Sequence, residues 1–158
     1  MTERDIFWMK EALALAEKAA ARGEVPVGAV IVRGEEKIAA AFNDRENGMD
    51  ATAHAETMAI REASMKLGRW RLEDCELYVT LEPCPMCAGA IVNARIGRVV
   101  YGAKDACGGA LGSVLDLRCY PLCAKPEVTG GVLSNECAVL LSRFFEDKRK
   151  KRKKIEKK

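Results

Sequence analysis

The chain has 158 residues, a length that suits one domain able to bury a core without disulfides. Apolar residues make up 49% of it, which excludes a disordered protein. The formal net charge of +3 is unevenly distributed: residues 1–147 carry 17 Lys and Arg against 22 Asp and Glu, and residues 148–158 carry nine against one. We therefore expect a mildly acidic domain over 1–147, followed by a basic segment over 148–158.

Membrane and secreted proteins are also disfavoured. No apolar stretch approaches the length of a membrane span, and the residues after Met1 lack the charged and apolar regions of a signal peptide. We expect a cytoplasmic protein. In that compartment seven cysteines, an odd number, indicate reduced thiols and metal ligands rather than a disulfide framework.

Hydrophobic periodicity and turn residues predict helices that alternate with strands. In chain order we expect a helix over 5–22, strands over 27–32 and 38–42, a helix capped by Thr52, a strand over 76–80, a helix ending at 94, strands over 98–103 and 127–129, and a last helix capped by Ser134. This alternation predicts a three-layer helix–sheet–helix α/β domain with a mixed central sheet of about five strands. The last helix should run into the basic segment, which we expect to end in disorder.

One motif pair carries the chemistry. The only histidine stands in His54-Ala55-Glu56, and Cys84 and Cys87 follow about thirty residues later in Pro83-Cys84-Pro85-Met86-Cys87. One imidazole and two thiolates suit zinc, and three protein ligands leave the fourth tetrahedral position to water, as in catalytic sites. Both cysteines follow a predicted strand and open a helix, where the helix dipole favours thiolate. We expect one Zn²⁺ per chain.

Glu56 is the candidate proton shuttle between a zinc-activated water and a leaving group. In a regular helix, positions two apart diverge by roughly 200°. Glu56 and His54 can therefore reach one site only if the first helical turn lies against it.

A structural zinc with a fourth protein ligand is the alternative. The five remaining cysteines are the candidates for that ligand: Cys75, Cys107, Cys119, Cys123 and Cys137. Most are better interpreted as small buried apolar residues. The pair Cys119 and Cys123 has no histidine nearby, so a second metal site is not expected.

The pattern H-x-E followed by P-C-x-x-C is the signature of zinc-dependent nucleobase deaminases. Over about residues 7–150 the chain resembles the bacterial tRNA adenosine deaminases. The stretches that carry the resemblance are Val25-Pro26-Val27-Gly28-Ala29-Val30, Thr52-Ala53-His54-Ala55-Glu56, Thr80-Leu81-Glu82-Pro83-Cys84-Pro85-Met86-Cys87-Ala88-Gly89-Ala90, 95–106 and Phe144-Phe145.

The resemblance implies a cytidine-deaminase-like fold, a homodimer, and hydrolytic conversion of adenosine to inosine at the first anticodon position of a tRNA. It implies these roles: zinc ligation by His54, Cys84 and Cys87, proton transfer by Glu56, contact with the flipped base by Asn43, binding of the attacking oxygen by the N–H of Ala55, pocket walls from Val27 and Leu81, and proximity to the anticodon loop for Asp105, Phe144, Phe145 and Arg149. Asp105 could instead cap a turn, and the Phe pair could be core.

The chain departs from the family in one loop. Cys123-Ala124 stands where the family usually has Asn-His, which contributes to RNA contact. The basic segment has three interpretations: a solvated tail, an arm that attracts phosphates, or a nuclear-targeting signal.

Two other functions compete with tRNA deamination. A deaminase of free nucleobases or nucleosides, of the guanine or cytosine type, shares the zinc motif. A zinc-stabilised RNA-binding module without catalysis would share the basic segment.

Overall fold

The computed structural model describes residues 1–157, which form four α-helices, five strands and one 3₁₀ turn. In chain order these are α1 (Glu3–Ala21), β1 (Gly28–Arg33), β2 (Glu36–Phe42), α2 (Ala55–Leu67), β3 (Glu76–Leu81), α3 (Pro85–Asn93), β4 (Arg98–Ala103), the 3₁₀ turn (Leu117–Cys119), β5 (Glu127–Gly130) and α4 (Ser134–Glu156). Each predicted helix and strand is present, with its bounds moved by a few residues.

The five strands form one mixed sheet in the order β2-β1-β3-β4-β5. β1 is antiparallel to both β2 and β3, whereas β3 pairs with β4, and β4 with β5, in parallel. All strands except β1 therefore run in one direction. As a result, the carboxyl ends of β2, β3 and β4 lie at the same edge of the sheet as the amino end of β1.

Helices cover both faces of the sheet, which confirms the three-layer α/β prediction. Successive residues of a strand point to opposite faces. Ala29 and Ile31 of β1 join the core formed with α2 and α3, while Val30 and Val32 join the core formed with α1 and α4. Burial on both faces explains why β1 is almost continuously apolar rather than alternating.

Both predicted N-caps are wrong. The carboxylate of Asp50 accepts the N–H and the hydroxyl of Thr52 at 2.8 and 2.7 Å, so Thr52 belongs to the preceding turn. α2 begins later, with His54 as its N-cap. At α4 the N-cap is Leu133, in the left-handed region with φ 51°, and Ser134 is already helical.

α4 continues through the basic segment to Glu156, where the sequence predicted disorder. Lys, Arg and Glu favour helix, and cations near a helix carboxyl end interact favourably with its dipole. Arg152 and Glu156 add an ion pair of 3.2 Å one turn apart. Lys158 lies outside the described residues. Over 1–157 there is no helix of the length and apolarity that a bilayer crossing requires.

Candidate active site

Two helix amino ends meet at the edge where the strands β2, β3 and β4 end. His54 is the N-cap of α2, and Cys84 is the N-cap of α3. Neither uses its side chain to cap its helix, which leaves both side chains free to face each other. Cys87 lies in the first turn of α3 and is fully buried.

The imidazole of His54 lies close to both sulfurs. Its Nδ1 is 3.7 Å from the Sγ of Cys84 and 3.5 Å from the Sγ of Cys87. Tetrahedral zinc, with a Zn–N bond of about 2.05 Å and a Zn–S bond of about 2.3 Å, places nitrogen and sulfur about 3.6 Å apart. The two observed distances fit that value, so the cluster has the dimensions of a zinc site.

The thiols of the cluster differ in proton affinity. Hydrogen bonding by Cys87, opposed by burial and aided by His54, lowers the pKa of Cys84 to about 4. Its hydrogen bond to Cys84 and its burial raise the pKa of Cys87. A divalent cation among the three ligands would favour thiolate at both positions.

A structural zinc would require one of the five other cysteines to lie within the cluster as a fourth ligand. Among residues 1–157, the acidic, histidine and cysteine side chains that gather closely enough to share a metal ion are those of His54, Cys84 and Cys87. Burial raises the pKa values of the thiols of Cys75 and Cys137 to about 11 and 12, as expected of inert core residues. The prediction that most other cysteines are buried is wrong, because three are exposed: Cys107, Cys119 and Cys123.

Glu56 lies beside the cluster and is 4% exposed. Because His54 precedes the helix with an extended backbone (φ −80°, ψ 152°), the 200° separation of helical positions does not apply to this pair. His54 and Glu56 line the same cavity. Burial raises the pKa of the Glu56 carboxyl.

Asn43 follows β2 directly and lies against the start of α2. Its side-chain oxygen accepts the backbone N–H of Ala55 at 2.8 Å. That bond fixes the orientation of the amide, because only its oxygen can accept, and the NH₂ group is left as a donor in the pocket. It also engages the donor that the resemblance assigned to the attacking oxygen. The role of Ala55 therefore stays a prediction.

A cavity of about 130 Å³ opens beside the metal cluster. The residues that line it are Glu24, Val25, Val27, Asn43, Arg45, His54, Glu56, Leu81, Glu82, Cys84 and Asp105. Of the predicted catalytic, metal and pocket residues, only Cys87 and Ala55 do not line this cavity. Cys87 belongs to the adjoining metal cluster, and the N–H of Ala55 is bound by Asn43.

Asp105 lies on the cavity wall and also caps a turn. Its carboxylate accepts the N–H groups of Cys107 and Gly108 at 2.9 and 3.1 Å, as the alternative interpretation expected. Phe144, Phe145 and Arg149 lie elsewhere. They border hollows along α4 and do not line the cavity. The two rings contact each other edge to face at 5.4 Å, and Phe145 is 42% exposed.

The sequence analysis missed two buried carboxylates in the cavity wall, Glu24 and Glu82. Each is only 1% exposed and accepts several hydrogen bonds from a loop that borders the pocket. Arg45 was also missed. The signal available in the sequence was position: Glu82 stands between β3 and Cys84, and Glu24 directly precedes the Val25-Pro26-Val27 stretch.

Comparisons with known proteins agree with this geometry. Residues 2–103 match the family described as the cytidine and deoxycytidylate deaminase zinc-binding region. A tRNA-specific adenosine deaminase of Bacillus subtilis is 50% identical over 151 residues, which cover 95% of this chain and 94% of the relative.

Solved structures show the same similarity. A tRNA:A34 deaminase, studied for A-to-I editing at the wobble position, superposes with a TM-score of 0.83 at 45% identity, covering 85% of this chain and 99% of that one. A guanine deaminase from Nitrosomonas europaea superposes with a TM-score of 0.77 at 26% identity, covering 88% and 83%.

Proposed function

We propose that this chain, which belongs to the family of cytidine and deoxycytidylate deaminases, converts adenosine to inosine in tRNA by hydrolysis. The observation that carries the proposal is the combination of the zinc-sized His54, Cys84 and Cys87 cluster with 50% identity to a tRNA-specific adenosine deaminase over nearly both full lengths. We propose further that the target is the first anticodon position.

The reaction adds the oxygen of water to C6 of adenine and releases the 6-amino group as ammonia. His54, Cys84 and Cys87 would hold a zinc ion, and the chemistry it would supply is Lewis-acid activation of water near neutral pH. Glu56 would take one proton from the attacking water and give it to a ring nitrogen, and would then carry the remaining proton of the added hydroxyl to the leaving amine. Its burial beside the cluster supports this role, because bulk water does not compete for the proton.

The pocket suits one base. Its volume of about 130 Å³ is below the ~300 Å³ at the lower end for drug-sized ligands. Val27 and Leu81 offer apolar surface to a ring system, and the NH₂ group of Asn43 can donate to a ring nitrogen. A base held there must leave its stack, and the bases of an RNA loop are already splayed out.

The test is turnover on defined substrates. We expect mass spectrometry to detect inosine in an anticodon stem-loop carrying adenosine at its first anticodon position, with none formed when that adenosine is moved to the stem. Free adenosine, cytidine and guanine should not be turned over at a comparable rate. Turnover of the small molecules alone would contradict the proposal.

A guanine-type deaminase is the second candidate, favoured by the superposition on the Nitrosomonas europaea enzyme. Ammonia release from free guanine, with no inosine formed in RNA, would support it. A non-catalytic zinc-stabilised RNA-binding module would release no ammonia from either substrate.

We propose that the enzyme acts as a homodimer in the cytoplasm, where its substrate would be found. The side chain of Met65, on α2, is 75% exposed at a surface hollow that also includes Met58 and Arg61. An exposed methionine on the helix that carries Glu56 fits a surface that another subunit covers. Light scattering after size exclusion should give twice the chain mass of 17.3 kDa.

A further inference from the structure

We propose that Glu24 and Glu82 are a pair of positioning residues that hold the two walls of the pocket at the separation one base requires. The inference rests on the proposed function and extends it to residues outside the zinc cluster. Neither carboxylate is assigned a step in the reaction. Each acts through the loop that it fixes.

Glu24 fixes the loop that follows β2. Its carboxylate accepts the backbone N–H of Glu46 at 3.1 Å and of Asn47 at 2.8 Å, and the side-chain NH₂ of Asn47 at 2.8 Å. The loop fixed in this way begins at Asn43 and includes Arg45, and both of these line the cavity. Glu24 therefore holds the wall that carries the proposed base contact.

Glu82 fixes a second part of the cavity wall. Its carboxylate accepts the backbone N–H groups of Asp105, Leu111 and Ser113 at 3.1, 3.1 and 3.0 Å, and the hydroxyl of Ser113 donates a further hydrogen bond. Glu82 directly follows the cavity residue Leu81 and lies two residues before the ligand Cys84. One carboxylate thus ties the ligand-bearing segment to the loop that carries Asp105.

Both groups work as carboxylates rather than amides. A carboxylate accepts at both oxygens, whereas a glutamine presents an NH₂ donor in place of one of them. Burial opposes ionisation of Glu24, but the hydrogen bonds from the loop outweigh it and keep the pKa of that carboxyl below its usual range. A Gln at either position would place donor against donor and release part of the loop.

Gly109 shows how closely one loop fits its carboxylate. A Cβ at Gly109 would overlap the carboxylate of Glu82 and approach the carbonyl oxygen of Asp105 to 2.6 Å. A Cβ at the neighbouring Gly108 would approach only Asp105, with its nearest atom at 3.3 Å. The two glycines therefore offer a matched pair of substitutions, one that displaces Glu82 and one that does not.

The experiment compares Glu24→Gln, Glu82→Gln and Gly109→Ala with the wild type and two controls. Gly108→Ala is the loop control. Asp5→Asn is the burial control, because Asp5 is equally buried but pairs with Arg98 at the opposite edge of the sheet. Steady-state kinetics on the anticodon stem-loop, zinc content and thermal melting are measured for each, with the assay well below every Tm.

We expect kcat/KM to fall about 10- to 100-fold in the three test variants, the range that a misplacement of about 1 Å produces. Zinc content should stay at one per chain, and the controls should keep kcat/KM within about twofold. Test variants that lose Tm as Asp5→Asn does but retain kcat/KM would overturn the inference. Loss of zinc would also overturn it, since the carboxylates would then support the metal rather than the pocket walls. A wild type that forms no inosine would contradict the proposed function as well.

Discussion

The side-chain oxygen of Asn43 accepts the backbone N–H of Ala55 at 2.8 Å, so that one amide caps α2 and also faces the pocket. The cap matters because the side chain of His54, at the N-cap, is turned towards the cysteines and makes no capping bond. Asn43 therefore supplies, from outside the helix, the capping hydrogen bond that the side chain of His54 does not make. Two substitutions separate the cap from the pocket contact.

We expect Asn43→Asp to keep Tm near that of the wild type, because the carboxylate still accepts the N–H of Ala55. Its kcat/KM on the stem-loop should fall at least about 100-fold, since the NH₂ donor is lost and a negative charge faces the base. Asn43→Ala should lose activity and also about 1 kcal/mol of stability, as expected when a cap is removed. Full activity in Asn43→Asp would rule out a base contact through the NH₂ group.

Glu56→Gln tests the proton shuttle. The amide is nearly the same size as the carboxyl but cannot accept and return a proton, so kcat should fall by about 10²–10⁴-fold or more. Zinc content should stay near one per chain, because Glu56 lies outside the ligand cluster. Inosine formation at an undiminished rate would exclude Glu56 as the shuttle, whereas unchanged RNA binding without turnover is the expected pattern.

Zinc should contribute to folding as well as to catalysis. The three ligands converge only in the folded chain, and an ion that binds the folded state raises stability by mass action. We expect Cys84→Ser to lose zinc, activity and several degrees of Tm, and chelation of the wild type to have the same effects until zinc is restored. Cys119→Ser is the control, because Cys119 is exposed and outside the cluster. Zinc retained in Cys84→Ser, or lost only in Cys119→Ser, would mean that the ion binds elsewhere.

The order of the elements and the metal ligands could be predicted from the sequence because both leave local patterns. Apolar periodicity marked α1 and the strands, and the spacing of Cys84 and Cys87 at a strand–helix junction marked the site. The meeting of His54 with Glu56 depended on where α2 begins. That start was misplaced because Asp50 engages Thr52 in a turn, a competition that capping preferences alone do not reveal.

The two positioning carboxylates were missed for a different reason. Glu24 and Glu82 bind loops that lie 22 to 31 residues away in the chain. Their partners are backbone N–H groups, which every non-proline residue possesses, so no residue type in those loops signals the contact. A buried acid without a basic partner nearby in sequence is visible only once the fold is known.

Acid should weaken the fold through Asp5. Its hydrogen bond from Arg98, opposed by burial and helped by Thr2 and Tyr78, holds the pKa of Asp5 well below its usual value. A carboxyl whose pKa is depressed by folding contributes stability above its unfolded pKa of about 3.9, and loses it as pH falls through the folded value. We expect the free energy of unfolding to decline below about pH 4. In Asp5→Asn it should be lower at neutral pH and decline less steeply in acid, as measured by urea titrations across pH.

The basic end of α4 should attract RNA phosphates. Residues 148–157 are helical or follow the helix directly, they are exposed, and they carry eight cations against one acid. Each phosphate neutralised releases counterions, so binding should weaken with salt in proportion to the contacts made. Removing residues 151–158 should weaken stem-loop binding at low salt and flatten its salt dependence, with zinc content unchanged.

A chain of full length with Gln at the basic positions of 151–158 is the control for length and helix, and it should behave like the truncation. If the wild type and both variants bind the stem-loop with identical affinity across a salt titration, the segment is only a solvated tail. If the truncated chain loses binding but the Gln chain keeps it, the effect of the segment comes from helix length rather than from charge.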